Sequence, residues 1–170
     1  LAALPRVEPS IKDPISFNDI NVNGTLNVFF ACKNNNVDRV VFSSSSSVYG
    51  EPKIHPTPEI SDLNPMSPYA LQKLHGEQYA KLFCEMYNMN IVCLRYFNVY
   101  GHREPTEGSY VPVIGIWLRQ FRDGKNLTIT GDGRQIRDFI DVKNVAQANY
   151  VSAFYGPKGY SVYNLSLIHI

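Results

Sequence analysis

Short apolar runs bounded by turn residues alternate along this chain with segments of helical length and period, and that alternation narrows the fold more than any single residue does. Val40-Val41-Phe42 and Ile91 to Leu94 are continuous apolar runs, the pattern of strands buried on both faces of a parallel sheet. Tyr160 to Leu165 and the short Leu127 to Thr130 also read as strands. From Pro14 to about Asn35, Phe17, Ile20, Asn21, Gly24, Leu26, Val28 and Ala31 fall near helical spacing, and Asn34-Asn35-Asn36 makes a stop. Ser67-Pro68 offers an N-cap with proline at the first helical position, so a helix is expected from Tyr69 to Tyr87, interrupted in composition only by Gly76. Pro112 to Phe121 and Asp141 to Tyr155 read as further helices, while Glu51 to Pro68 is polar, proline-rich and too irregular for an element. Strands separated by helix-length segments give βαβ units, hence an α/β fold with a mostly parallel sheet.

Composition excludes several functions. Apolar residues make up 44% and charged residues 18% of 170 residues, which suits one folded domain with a sizeable core. A formal net charge of +1 with scattered basic residues gives no electrostatic footprint for nucleic acid or an acidic membrane. No apolar stretch approaches the ~20 residues of a membrane span. Cys32, Cys84 and Cys93 show no C-x-x-C spacing, and free buried thiols in a reducing, cytoplasmic compartment are expected. His55, His75 and His102 lack metal-ligand spacing, so no metal site is expected, and the N-x-S/T triplets at Asn23, Asn126 and Asn164 read as chance matches.

Four segments carry potential chemistry. Tyr69 and Lys73 stand four apart on the expected helix and project from one face. An ammonium beside a phenol favours the phenolate, so Lys73 is expected to lower the pKa of Tyr69 and fit it for proton transfer with a hydroxyl. The same spacing is common on solvated helices and is weak by itself. Directly after the Val40–Phe42 run come Ser43-Ser44-Ser45-Ser46-Ser47 and then Val48-Tyr49-Gly50. In an open α/β sheet ligands sit outside the carboxyl ends of strands, where serines can donate to a reacting oxygen. A flexible linker is the alternative, although linkers seldom follow a β-branched run. Leu94-Arg95-Tyr96-Phe97-Asn98-Val99-Tyr100-Gly101 again sets aromatic and amide groups after an apolar run, with core packing as its plainer explanation. In Gly131-Asp132-Gly133-Arg134-Gln135-Ile136-Arg137-Asp138-Phe139, Arg137 suits a bidentate grip on a diphosphate, or else takes part in surface ion pairs.

Taken in order, Asn21-Val22-Asn23-Gly24-Thr25, the serine run with Val-Tyr-Gly, Tyr69-x-x-x-Lys73, Arg95-Tyr96-Phe97-Asn98 and Gly-Asp-Gly-x-x-x-Arg-Asp-Phe resemble the extended short-chain dehydrogenase/reductases that act on nucleoside-diphosphate sugars. The resemblance runs from Leu1 to about Leu165. It implies NAD as cofactor and C4 epimerisation of a UDP-sugar through a 4-keto intermediate. Tyr69 would be the base, Lys73 its partner and a ribose ligand, and Ser45 the catalytic serine. Ala2, Ala3, Asn21, Ser43, Tyr69, Lys73, Tyr96 and Phe97 match cofactor-side positions. Arg6, Ser46, Ser47, Asn98, Glu104 and Arg137 match substrate-side positions. The family's 4,6-dehydratases carry Asp-Glu where Ser46-Ser47 stand, and its decarboxylases usually keep a glutamate at Ser47. Without either carboxylate, elimination lacks its acid and base and simple oxidation–reduction at C4 is favoured. The pattern is most similar to the epimerases of UDP-N-acetylglucosamine or UDP-glucuronate, with UDP-glucose left open. A non-catalytic scaffold is the rival from another class.

The resemblance also implies a fragment. No G-x-x-G-x-x-G or G-x-G-x-x-G motif occurs in the chain, whereas the family carries one in its first βα turn. The expected fold is therefore a Rossmann-like doubly wound parallel sheet lacking the N-terminal glycine-rich βαβ unit. Residues 1–100 would form the C-terminal part of the NAD-binding domain and 101–170 a partial substrate-binding region, inactive on their own. Ser166 to Ile170 departs from the family's glycine-containing turn and is expected to be foreign or misassembled sequence. In this family the helices at 14–35 and 69–88 commonly pair across a homodimer as a four-helix bundle.

Overall fold

The computed structural model describes residues 3–107 and 111–166. Three parallel strands, β1 (Val40–Ser45), β2 (Ile91–Tyr96) and β5 (Tyr160–Leu165), form the main sheet in the order β1-β2-β5. The central β2 is buried over Ile91, Val92, Cys93, Leu94 and Arg95, as a strand covered on both faces must be. On one face Phe42, Ile91, Cys93 and Val162 meet Phe29 of α3 (Gly24–Asn34) and Ala80 and Phe83 of α4 (Pro68–Tyr87). On the other lies α6 (Val142–Tyr155), whose Asn149 reaches Tyr96. Helices on both faces of a parallel sheet make the fold Rossmann-like α/β.

Phe29 sits 5.8 Å from both Phe42 and Phe83 in edge or tilted contacts, so three rings lock α3, β1 and α4 together. Gly76 follows from that contact, because a Cβ there would collide with the ring of Phe42. The glycine that looks like a helix breaker in α4 is what lets this helix approach β1 closely.

The expected helix at 14–35 forms as α2 (Pro14–Asn18), a π-helical turn over Asp19–Asn23, and α3. The wide turn presents Asn21 inward, where its amide accepts from Leu4 N and donates to Leu4 O and to Gln72 of α4. Ahead of it stands a short helix absent from the sequence reading, α1 (Val7–Lys12). Ser67 caps α4 by accepting from Ala70 N, with Pro68 at the first position as expected. Asp141 caps α6 by accepting from Lys143 N.

Two further strands, β3 (Asn98–Tyr100) and β4 (Phe139–Asp141), pair in parallel beside the main sheet, and α5 (Val113–Arg122) lies between them in sequence. The strand expected at Leu127–Thr130 does not form. Its backbone turns to side chains of α5 instead: Thr128 O accepts from Trp117 and Thr128 N donates to Gln120. Leu127 and Ile129 remain exposed, so a strand here would have no buried face to serve.

Candidate active site

β1 does not end at Phe42 but continues through Ser43, Ser44 and Ser45, which alternate across the sheet. Ser44 points to the α4 side, where its hydroxyl donates to Glu77. Ser43 shares a hydrogen bond with the Tyr96 phenol at 3.1 Å, and Asn149 supports that phenol from α6. Ser45 caps a 3-10 turn over Ser46–Tyr49 by accepting from Ser47 N, and also accepts from the Ser47 hydroxyl at 2.9 Å. Gly50, at φ 63°, closes the turn where any Cβ would strike the Asn64 carbonyl. The five serines therefore form a strand end and a capped turn, and the linker alternative falls.

Tyr69 and Lys73 lie on the α4 face turned to this strand end. The Ser45 hydroxyl lies close enough to the Tyr69 phenol to favour its ionised form. The ammonium of Lys73 donates to the Ser43 carbonyl at 2.7 Å and stands 5.8 Å from the Tyr69 ring centre. The electrostatics differ from expectation. Burial raises the Tyr69 pKa, and the group that opposes the rise is the Ser45 hydroxyl rather than Lys73. Lys73 is itself buried, at 7% exposure, and burial pushes its pKa down to about 8. Ser45 thus holds the position that the spacing argument gave to Lys73.

The other sequence candidates are distributed as follows. Ala2 lies outside the described residues, and Ala3 is half-buried ahead of α1. Asn21 has its amide fully engaged with Leu4 and Gln72. Arg6 precedes α1 with a positive φ of 93°. Phe97 donates from its backbone to Leu165 O and is half-buried at the end of β2. Ser46 and Ser47 open the 3-10 turn beside Ser45. Asn98 and Arg137 come together across the small sheet: Asn98 donates to Asp138 O at 2.8 Å, next to Arg137, whose guanidinium extends into solvent and touches only Ile136 O among the hydrogen bonds described. Glu104 is half-buried in the following loop with one carboxylate oxygen unpartnered among the described residues.

Sequence reading missed two sets of residues. Ser10 of α1 is fully buried and accepts from Tyr69 N, fixing the start of α4. Glu77, Arg95, Tyr49 and Asn164 form a buried polar chain under the serines. A signal for the second was present: Glu77 continues the four-residue spacing of Tyr69 and Lys73. Asn164 is 2% exposed, which rules out glycan attachment in the fold. Among the described residues no group of His, Cys, Asp and Glu is arranged to hold a metal, and no helix is long and apolar enough to cross a membrane.

A Tyr-x-x-x-Lys helix laid against a serine at the carboxyl end of a parallel strand is the reaction-centre arrangement of the short-chain dehydrogenase/reductases. The chain belongs to the NAD dependent epimerase/dehydratase family, whose model matches residues 1–165. It is 41% identical over 152 residues to a putative UDP-glucose 4-epimerase of Methanocaldococcus jannaschii, covering 89% of this chain and 50% of that protein. Among solved structures it resembles the UDP-N-acetylglucosamine 4-epimerase of Methanobrevibacter ruminantium, in complex with UDP-N-acetylmuramic acid, with TM-score 0.93 and 45% identity over 98% of this chain and 53% of that one. The UDP-glucose 4-epimerase of Thermus thermophilus in complex with NAD matches with TM-score 0.84 and 31% identity over 97% and 54%. The chain thus spans about half the length of the relatives it matches.

Proposed function

We propose that the protein to which this chain belongs is an NAD-dependent UDP-sugar 4-epimerase working through a 4-keto intermediate. The observation that carries the reading is the convergence of Tyr69, Ser45 and Lys73 at the carboxyl end of β1, with serines and no carboxylate at positions 46 and 47. Residues 1–100 supply the nicotinamide side, and 101–170 begin the substrate side before β5 returns to the main sheet.

The residues present fit the nicotinamide-ribose half of the cofactor. Lys73 is buried yet makes one hydrogen bond among the described residues, which leaves donors for ribose hydroxyls. The Tyr69 ring and the Ser43 carbonyl lie beside it, and Ser43 in turn hydrogen-bonds the Tyr96 phenol. When bound, NAD supplies a reversible hydride acceptor for C4. Tyr69 in its ionised form takes the proton from the C4 hydroxyl and later returns it, and Ser45 holds the phenol and the reacting oxygen in line. Burial favours the protonated forms of Tyr69 and disfavours charge on Lys73, so proton transfer is governed by local hydrogen bonds. Asn98 and Arg137 suit the diphosphate, with Ser46, Ser47, Arg6 and Glu104 about the sugar. UDP-N-acetylglucosamine, UDP-glucose and UDP-glucuronate are the substrate candidates.

We further propose a homodimer. Ile15, Val28 and Phe30 on α2 and α3, with Leu71, Leu82 and Met86 on α4, leave apolar side chains exposed on the two helices that a four-helix bundle would pair. Analytical ultracentrifugation of the full-length protein should show a dimer, and a monomer at high concentration counts against it. Free Cys32, Cys84 and Cys93 suit a cytoplasmic enzyme.

The deciding assay gives the full-length protein each of the three UDP-sugars. Interconversion at C4 that collapses in Tyr69→Phe establishes the epimerase. A 4-keto-6-deoxy or decarboxylated product refutes the inference from Ser46 and Ser47, and inertness toward all three with NAD retained favours a non-catalytic scaffold.

A further inference from the structure

Beneath the serines lies a charged pair that the proposed chemistry does not use. Arg95 of β2 donates from Nε to Glu77 Oε1 at 2.9 Å and from Nη2 to Glu77 Oε2 at 2.6 Å, a bidentate pair with both side chains 3% exposed. Ser44 donates to the same Oε1 at 2.5 Å. Arg95 Nη1 donates to the Tyr49 phenol at 2.6 Å and to the Glu59 carbonyl at 3.1 Å. Tyr49 in turn donates to Asn164 Oδ1 at 2.7 Å, and Asn164 Nδ2 donates to Thr57 O at 2.8 Å. One pair of charges therefore ties together β1, the turn after it, α4, β2, β5 and the loop at 51–67.

Its location matters more than its strength. Replacing a buried ion pair with apolar residues of similar volume is often neutral for stability, so stability is a poor reason for this pair to be here. Glu77 stands one helical turn beyond Lys73 and two beyond Tyr69 on the same face of α4. Ser44 is flanked by Ser43, whose carbonyl receives Lys73, and by Ser45, whose hydroxyl favours the ionised form of Tyr69. Fixing Ser44 on Glu77 therefore fixes how far β1 has advanced along α4, and with it both contacts. The Tyr49 bond fixes the turn on the other side of Ser45.

We propose that the Glu77–Arg95 pair, acting through Ser44, is the positioning device that sets Ser45 and the Ser43 carbonyl against Tyr69 and Lys73. Neither residue touches the reacting atoms. This rests on the reading of Tyr69 and Ser45 as the proton-transfer pair, and the test separates the two.

Two variants of the full-length protein serve: Ser44→Ala, which removes the link and keeps the ion pair, and Glu77→Leu with Arg95→Met, which removes both charges at once. Each is expected to lower kcat for C4 interconversion, by about tenfold and up to about 100-fold respectively, as a misplaced general base does, with KM changed less than about threefold. The midpoint of the pH–rate profile should rise in both, because a Tyr69 moved away from the Ser45 hydroxyl is harder to ionise. Thermal stability of Ser44→Ala should stay near the parent, which a merely structural role for the link does not predict alongside a fallen kcat. An unchanged kcat and pH midpoint in Ser44→Ala overturns the proposal, even if the double variant fails to fold. Titration of the Tyr69 phenol by NMR of ring-labelled tyrosine, assigned with Tyr69→Phe, gives a readout independent of turnover. An upward shift in Ser44→Ala upholds the positioning role though the parent act on none of the three sugars, and no shift defeats it though the parent be a proven epimerase.

Discussion

The wall formed by β1, β2 and α4 and the segment from Gly101 to Arg137 hold the two halves of the candidate site in opposite ways. In the wall, Lys73, Glu77, Arg95 and Ser44 are all buried and hydrogen-bonded to neighbours on other elements. In the later segment Arg134 and Arg137 are exposed, and their contacts stay within a few residues of sequence. Proton-transfer groups need sub-ångström alignment before the substrate arrives, and dense packing with satisfied polar groups supplies it. A diphosphate brings its own charge and can order flexible arginines as it binds. On the proposed reading, precision is built into the first region and would come with the diphosphate in the second.

The sharpest way to break this contrast is at the reacting groups. Tyr69→Phe in the full-length protein is expected to cost about 1,000-fold or more in kcat with the fold intact by circular dichroism, since it removes the proposed proton acceptor alone. Residual turnover near the parent's would move the base elsewhere. Next comes packing. Phe42→Ala, which empties the ring contact with Phe29 and the space against Gly76, should cost about 3–5 kcal/mol in denaturant unfolding. Ile136→Ala, at 89% exposure in the other region, should stay within about 0.5 kcal/mol. Equal losses at the two positions would erase the distinction between the regions.

Lys73 sharpens the contrast through pH. Its folded pKa of about 8 lies below its ordinary 10.5, so below pH 8 the fold carries an ammonium that burial penalises. Between pH 8 and 10.5 the unfolded chain binds more protons than the folded one, and stability therefore rises with pH across that window. Lys73→Met should stabilise the protein by about 1–3 kcal/mol at pH 7, with the gain shrinking as pH rises through the window. A gain that does not vary with pH would mean that Lys73 is not held in a penalised state. Arg137→Ala is expected to raise KM for the UDP-sugar about tenfold while leaving kcat and the unfolding midpoint close to the parent's. A fall in kcat without a change in KM would place Arg137 with the preorganised groups.

Much of the architecture was legible because burial leaves a periodic trace. Val40–Phe42 and Ile91–Leu94 read as strands since both faces are covered, and α4 announced itself through Ser67-Pro68 and its spacing. Leu127–Thr130 misled for the complementary reason: a strand forms only where one face finds a core, and here the backbone bonds to Trp117 and Gln120 instead. The short α1, β3 and β4 left too little pattern to detect.

By itself the sequence determined the α/β class, the family and the pairing of Tyr69 with Lys73, because periodicity and motif order are local properties of the chain. Only the tertiary structure decided that Ser45, rather than Lys73, opposes the burial-driven rise in the Tyr69 pKa, and that Glu77 and Arg95 meet beneath the serines. Those outcomes depend on which side chains share a desolvated space, and desolvation belongs to packing among distant segments, to which no single stretch of sequence carries the key.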